Sequence, residues 1–307
     1  VKIIKAELVS SWKSLINLNP EFKSLELISP TIKIKKKIAL NNNLILIGNH
    51  NKTFAKKLKS MISILDNLRI KDGRADFYRL DVLNSLNNID LFLTSSDQIK
   101  IDAEFDYENY KSFFKIKAKT TDLKNFKYSV NQLFENKNEL LNTGTVLYDE
   151  NDISIKGEIY SNQLNFYEIA KLFSQFNKVY DQKIIHSVNT RNPGINFDFD
   201  LEIDKILFND HKLKNISSKL YSAKNEFFIK DLRIKYLESS INANAIYSIK
   251  NKNVKGKISI FDYLVDQNFL GSSNFDISDA SFDCDVFFTI NSFKRIRKIL
   301  DEIYAEG

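Results

Sequence analysis

The chain has few of the residues that cross-link or punctuate a fold: one Cys, three Pro and eight Gly among 307 residues. A single cysteine excludes an intrachain disulfide, and the alternation of Cys284 with Phe282 and Val286 predicts a small buried apolar side chain. So few glycines argue against barrels and propellers built on tight glycine turns. No apolar run reaches about 18 residues, so no segment is predicted to span a bilayer as a helix.

The chain also lacks a strong excess of one charge. Its 45 basic and 39 acidic residues give a net charge of +6, and the two signs are interspersed. The richness in Lys, Asn, Ile and Phe is typical of an AT-rich genome, so the basic balance predicts a solvated surface more than a nucleic-acid or headgroup partner. The lysines around Ile32, Ile34 and Ile38 leave phosphate contact open, but a solvated face paired with acids on the next strand is favoured.

Residue constellations for catalysis or metal binding are missing from the sequence. The three histidines, His50, His186 and His211, have no metal-ligand or dyad spacing, and no glycine-rich phosphate loop occurs. Asp72-Gly73-Arg74 indicates a turn between two strands. The acidic ladder of residues 198–204 spaces its side chains about 6.6 Å apart, too far for a compact cation cage. We therefore expect no catalytic residue, no metal, no cofactor and no enzymatic activity.

Short strands with alternating apolar and polar residues dominate the chain. From Ile195 to Asp204 the odd positions are apolar and the even positions polar or acidic. Successive strand side chains point to opposite faces, so each such segment has one apolar and one solvated face. Polar links such as 250–253 between these segments predict an antiparallel meander. The same alternation recurs at Ile99–Phe105, Phe114–Ala118, Ile153–Ile159, Leu232–Tyr236, Ile241–Tyr247, Val254–Ile260 and Phe282–Phe288.

Amphipathic helices are predicted between some of these strands. Apolar residues at helical spacing indicate helices over Leu164–Phe176, Phe293–Ile303 and Leu58–Leu65, and a weaker one near Leu123–Leu141. Strands also run towards amphipathic segments at Trp12–Ile16 and Phe261–Val265. Because strands followed by a helix recur along the chain, we predict degenerate strand-strand-helix repeats.

The predicted fold class is mainly β with short helices (α+β). It is an elongated, twisted antiparallel β-sheet folded into an apolar groove. No linker divides the sequence, so 1–307 is predicted as one elongated region with approximate sub-repeats 1–60, 61–145, 146–265 and 266–307. Because the chain starts in mid-strand at Val1 and stops directly after a predicted helix, we expect further chain at both ends.

Several segments, taken in order, resemble AsmA-like proteins. The opening Leu8–Ile16, followed by Phe22–Ile34 with its apolar-x-x-Pro-x-apolar turn, is similar to the start of that family. Leu68–Phe77 resembles its strand, glycine turn and strand, and Asn88–Leu93 its next strand. The stretch Phe197–Ile260 resembles a later repeat. The resemblance covers nearly the whole chain, although the amino-terminal membrane helix, the carboxy-terminal repeats and several glycines of the family are missing.

This resemblance implies an envelope protein of the AsmA/TamB type in a Gram-negative bacterium. Such proteins are associated with outer-membrane biogenesis and carry phospholipid along a bridge-like β-groove in the periplasm. The implied partners are phospholipid acyl chains, the inner membrane, and the outer membrane or an envelope protein, with no nucleic acid. The implied location is periplasmic, with an inner-membrane anchor in a segment before Val1. An open apolar groove in water is costly unless acyl chains fill it, which fits this role.

The apolar face of the strands is therefore the candidate functional surface. A structural scaffold whose apolar face is fully self-buried is the alternative, and an outer-membrane barrel is disfavoured by the interspersed amphipathic segments. The residues predicted to line a lipid groove are Ile101, Ala103, Phe105, Phe114, Ile116, Phe197, Phe199, Leu201, Ala243, Ala245, Val254 and Ile258.

Overall fold

The computed structural model describes most of the strand-forming part of the chain. The described residues are 5–10, 22–34, 65–79, 82–95, 97–108, 111–135, 138–148, 152–166, 194–208, 211–223, 226–248, 251, 253–264 and 281–290. Nearly all of them lie in 17 β-strands, so the predicted mainly β class is confirmed. The chain divides into two compact units, one made of 1–156 and 178–195 and the other of 157–177 and 196–307.

Unit 1 contains the first nine strands and the start of the tenth. They are β1 (Lys5–Ser10), β2 (Phe22–Ile28), β3 (Thr31–Ile34), β4 (Leu65–Arg79), β5 (Val82–Ser95), β6 (Ile99–Tyr107), β7 (Ser112–Thr120), β8 (Asn125–Phe134), β9 (Glu139–Tyr148) and β10 (Asp152–Ser161). From β4 to β9 each strand pairs antiparallel with the next, as the meander prediction required. β2 and β3, however, pair parallel with β4, so the sheet is mixed and not purely antiparallel.

Unit 2 repeats this arrangement with its own strands. They are β11 (Leu164–Asn165), β12 (Gly194–Phe208), β13 (His211–Ala223), β14 (Glu226–Tyr236), β15 (Ser239–Ser248), β16 (Asn253–Leu264) and β17 (Ser281–Ile290). The short β11 pairs parallel with β12, and β12 to β17 form an antiparallel meander. In each unit, a 15-residue strand, β4 or β12, follows a short parallel strand and opens the meander. The units therefore share a topology.

Among the described residues, five strands contain an Asp or Asn with left-handed backbone inside the strand. These residues are Asp72, Asn88, Asn215, Asp231 and Asp262, with φ between 50° and 56°. Asp and Asn adopt this conformation more readily than other residues with a Cβ. Each lies where the pairing register shifts, as at a β-bulge. The extra residue increases the spacing between consecutive residues of the apolar face from two to three. The residues on either side of the bulges are Ile70 and Gly73, Leu86 and Ile89, Leu213 and Ile216, Ile229 and Leu232, and Ile260 and Tyr263.

A side chain of the next strand caps the backbone at three of these bulges. The N–H of Asp72 donates to Asp90 Oδ1 at 3.0 Å, and the N–H of Asp262 donates to Asp283 Oδ1 at 3.0 Å. The N–H of Asp231 donates to Asn244 Oδ1 at 2.8 Å. Because ladder pairing is interrupted there, these bonds satisfy donors that would otherwise be left to water. The capped bulges keep one face apolar although the sequence alternation changes phase.

Several predicted turns and helices are strands in the structure. Asp72-Gly73-Arg74 is not a turn between two strands, because β4 runs through it with a bulge. The weak helix near Leu123–Leu141 is wrong, since β8 and β9 occupy that stretch. Phe261–Leu264 is also not helical, because β16 continues to Leu264. A bulge brings apolar residues to a spacing of three, as in Ile260 and Tyr263, and this spacing imitates a helix.

Two further helix predictions are only partly covered by the structure. Leu164 and Asn165 form β11, and Phe166 has helical backbone. Leu65 belongs to β4. The predictions at 12–16, 58–62, 167–176 and 293–303 lie outside the described residues, as does Ile38.

Few apolar side chains of the described residues are fully buried. In unit 1 they are Leu93, Ala103 and Phe134, and in unit 2 they are Leu164, Ile203, Ile206 and Ile216. Small polar side chains are buried near strand ends, where they bond to backbone or to each other. Gln132 donates to Ser112 Oγ at 3.3 Å, and Ser239 Oγ donates to the Asp262 carbonyl at 3.1 Å.

Candidate functional site

One face of the unit 1 sheet is a continuous apolar surface. Ladder pairing places Leu25, Leu68, Leu93, Ile101, Ala118 and Tyr128 in one row across six strands. The next row contains Leu27, Ile70, Leu91, Ala103, Ile116 and Val130. Ile101, Ala103 and Ile116, all predicted lining residues, therefore share this face. Of the three, only Ala103 is buried, at 9% exposure.

Aromatic rings extend this face towards one end of β6 and β7. Phe105 and Phe114 are directly paired, and their rings stack with centroids 5.4 Å apart. Tyr107 contacts the Phe114 ring at 6.3 Å and the Phe77 ring at 6.5 Å. Aromatic pairs at these distances add to the energy of area burial. All five residues predicted as groove-lining in unit 1 thus lie on one surface.

Unit 2 has an apolar face of the same kind. One row crosses six strands through Phe199, Leu220, Ile229, Ala245, Gly256 and Phe288. A second row holds Leu232, Ala243, Ile258 and Val286. Leu201 lies two residues from Phe199 on β12, opposite Ser218. Val254 pairs with Tyr247, so the seven predicted lining residues of unit 2 also share a face.

Three aromatic rings form a stack across β12, β14 and β15. Phe197 and Phe227 stack at 5.4 Å, and Phe227 and Tyr247 stack at 5.9 Å with nearly parallel planes. Phe197 and Phe227 belong to strands separated by β13, where the small Ser222 lies between them and its Oγ accepts the Phe197 N–H at 2.9 Å. The small residue on β13 lets the two rings meet over it. The three stacked rings add a flat aromatic area to this face.

Much of the apolar surface keeps contact with solvent. Ile229, in the middle of the first unit 2 row, is 40% exposed, and Val286, at the end of the second row, is 44% exposed. Of the predicted lining residues, all except Ala103 are only half-buried. Apolar area in contact with water costs about 25 cal/mol per Å². An apolar ligand that covers these partly exposed rows would remove part of this cost, so the rows are a candidate binding surface.

The opposite faces carry charged side chains in cross-strand pairs. Lys219 lies 3.2 Å from Asp198 and 4.0 Å from Asp200, and the Tyr160 hydroxyl donates to Asp204 at 3.0 Å. The acidic side chains of β12 thus belong to a solvated polar face, as predicted. The hydrogen bond to Asp204 raises the pKa of Tyr160. Lys33 lies opposite Asp76 on the neighbouring strand, which matches the predicted pairing of that basic segment with acids.

Some surface residues were missed by the sequence interpretation. Ile229 and Phe288 belong to the same row as Phe199, and Tyr247 belongs to the aromatic stack. The signal that could have identified the bulges is apolar-x-Asp/Asn-apolar within an alternating strand. That motif would have shown that Ile229 and Leu232 keep to one face. Cys284 is half-buried opposite Ile260 on the same face, without a disulfide partner.

The described residues contain no cluster of three or more His, Cys, Asp or Glu that could hold a metal ion. His211 bonds through Nδ1 to the Tyr236 hydroxyl at 2.7 Å, and His50 and His186 lie outside the described residues. Within that part of the chain, no helix is both long and apolar enough to cross a membrane. Searches against family models, curated proteins and solved structures found no match to this chain.

Proposed function

We propose that this protein binds phospholipid acyl chains on the apolar faces of its sheets and carries lipid between envelope membranes. The observation that carries the proposal is the set of long, half-exposed apolar rows in each unit, of which Phe199 to Phe288 is the clearest. An acyl chain is a flexible, featureless apolar ligand, and it needs contiguous apolar area with few polar groups. The rows provide such area across several strands.

Lipid carriage along these rows requires no chemical step. The aromatic stack of Phe197, Phe227 and Tyr247 offers flat apolar area on which a chain can slide without a specific hydrogen bond. The charged side chains on the opposite faces keep the units hydrated while acyl chains occupy the apolar face. A periplasmic location, with the inner membrane and an outer-membrane or envelope partner as the contacts, is part of the proposal through the resemblance to AsmA-like proteins.

Native mass spectrometry and lipid extraction of the purified chain test this proposal. We expect co-purified phospholipid, and transfer of a fluorescent phospholipid from donor to acceptor vesicles in a dequenching assay. Protein that is lipid-free and takes up no fluorescent phospholipid would contradict the proposal and favour a scaffold with a self-buried apolar face. Hydrogen exchange of β12 to β16 with and without lipid would locate the binding face.

A further inference from the structure

A row of three lysines crosses unit 1 on the polar face of its sheet. Lys100 of β6 lies opposite Lys119 of β7, which in turn lies opposite Lys127 of β8. All three side chains are exposed. Directly opposed residues have Cβ atoms about 5 Å apart, and like charges at that distance are destabilising. The row therefore does not contribute to the stability of the sheet.

Some other lysines of the polar faces are neutralised by a neighbouring strand. On β7 itself, Lys115 forms an ion pair with Glu104 of β6. In unit 2, Lys219 pairs with Asp198 at 3.2 Å and Lys257 with Asp285 at 2.9 Å. By contrast, none of the three lysines of the row makes an ion pair with a carboxylate of the described residues. Their amino groups are available to an external anion.

The ends of the row carry hydroxyl groups. Thr94 lies opposite Lys100, and Thr145 lies opposite Lys127, both on the same face. Ammonium and hydroxyl groups are the donors that hold phosphate oxygens. The row thus extends over five strands as a line of donors for phosphate.

Two exposed apolar side chains flank this line. Phe92 precedes Thr94 by two residues on β5 and is 42% exposed, and Leu147 follows Thr145 by two residues on β9 and is 45% exposed. Lysines with exposed Phe and Leu beside them are typical of surfaces that lie on a bilayer. The row has no arginine, the residue that nucleic-acid recognition favours, so this chemistry fits lipid headgroups better than nucleic acid.

We propose that Lys100, Lys119 and Lys127, with Phe92 and Leu147 beside them, bind the surface of a bilayer that contains anionic phospholipid. Headgroup phosphates contact the lysine row, and the two apolar side chains enter the boundary between headgroups and acyl chains. This site lies on the face opposite to the apolar rows of unit 1, so it does not depend on the proposed lipid carriage. Unit 2 has a lysine row of its own, Lys205, Lys214 and Lys235.

Vesicle co-sedimentation with two matched triple variants tests the site. The row variant is K100Q/K119Q/K127Q, and the control K115Q/K219Q/K257Q removes the same charge from lysines that are paired with acids. We expect wild type to bind phosphatidylglycerol-containing vesicles and to bind pure phosphatidylcholine vesicles far less. Each basic residue near an anionic surface contributes about fivefold in affinity, so the row variant should bind on the order of 100-fold more weakly. The control should lose less than about threefold.

Further measurements distinguish this site from general charge and from nucleic acid. The charge-preserving variant F92S/L147S should also bind anionic vesicles more weakly, and circular dichroism should show every variant folded. Equal loss in both triple variants, or unchanged binding in the row variant, would overturn the proposal. Binding to a single-stranded RNA but not to vesicles would overturn it as well. Lipid co-purification on the apolar face should be unchanged in the row variant, so failure of one proposal leaves the other distinguishable.

Discussion

The ring of Phe288 on β17 covers the space that a side chain at Gly256 on β16 would need. A Cβ built on Gly256 would lie 2.5 Å from Phe288 Cζ and 2.6 Å from the Asn244 carbonyl oxygen. The two residues are direct cross-strand partners. Because Gly256 has no side chain, the Phe288 ring packs over its backbone on the apolar face of unit 2.

Gly256→Ala should consequently destabilise the protein by about 1–3 kcal/mol, because the added methyl group forces the ring and the neighbouring strand apart. Urea unfolding measures this loss. In the background of Phe288→Ala the same substitution should cost less, since only the carbonyl contact remains. An identical cost in both backgrounds would show that the ring does not lie over the glycine.

The left-handed backbone of Asp231 predicts an unusual order of substitutions at one bulge. Asp231→Gly should be close to neutral, because glycine adopts a positive φ freely, whereas Asp231→Val should lose about 1–2 kcal/mol. Urea unfolding of both variants provides the measurement. The exposed Arg233 two residues further along β14 is the control, and Arg233→Val should not show this loss. A valine tolerated at both positions would argue against the bulge.

The carboxylate of Asp76 predicts a pH-dependent contribution to stability. Arg74 Nε donates to Asp76 Oδ1 at 2.9 Å, and Ser85 Oγ donates to the same oxygen at 3.0 Å. The hydrogen bond from Arg74, with that from Ser85, holds the pKa of Asp76 below its usual value despite burial. A lowered folded-state pKa stabilises the protein above the unfolded pKa of about 3.9, and this stabilisation is lost as the pH falls through the folded value.

Asp76→Asn should therefore lower the free energy of unfolding at pH 7 by about 1–2 kcal/mol. The difference from wild type should shrink as the pH falls below about 4, when the wild-type carboxylate becomes protonated. Unfolding curves at several pH values between 7 and 2.5 measure the difference. Asp97→Asn, in the exposed turn between β5 and β6, serves as the control. A difference that is constant with pH would exclude a charged Asp76 as its source.

A matched pair of variants on β15 tests whether the apolar face carries lipid. Ala243 lies on the apolar face and Asn242 on the opposite face, next to each other in sequence. Ala243→Glu should abolish phospholipid transfer between vesicles while the fold still forms, since it puts a charge in the path of the acyl chain. Asn242→Glu should leave transfer within about twofold of wild type.

Phe199→Glu in the neighbouring row should behave as Ala243→Glu does. If both apolar-face variants unfold, these positions belong to a packed core and the scaffold alternative gains support. If they fold and still transfer lipid at the wild-type rate, the apolar face is not the route.

The strands were the part of the fold most open to prediction from the sequence. Residues 195–204 and 99–105 were identified because alternation with a period of two is visible over a few residues. Helix predictions failed where local patterns overlap. Around Ile260 and Tyr263, a bulge creates the same spacing of three that a helical face shows, and Asp72-Gly73 has turn composition although its strand continues.

The candidate surface was predicted only in part, because alternation assigns side chains to a face but does not identify their cross-strand neighbours. Phe199, Ala245 and Phe105 could be assigned to an apolar face from alternation alone. That Ile229 and Phe288 complete the row of Phe199 depends on the register of five strand pairs, three of which contain bulges. Local sequence carries no record of which distant residue lies opposite.

By itself, the sequence determined which side chains share a face within each uninterrupted alternating segment, because the alternation of strand side chains is local. Only the tertiary structure decided which strands are neighbours. Strand pairing gave β4 and β12 a parallel neighbour each and placed Phe288 over Gly256. It also aligned Lys100, Lys119 and Lys127 in a row without ion pairs in the described part of the chain. Those relationships arise from hydrogen bonds between segments far apart in the chain, and cross-strand neighbours, not sequence neighbours, set the chemistry of both proposed surfaces.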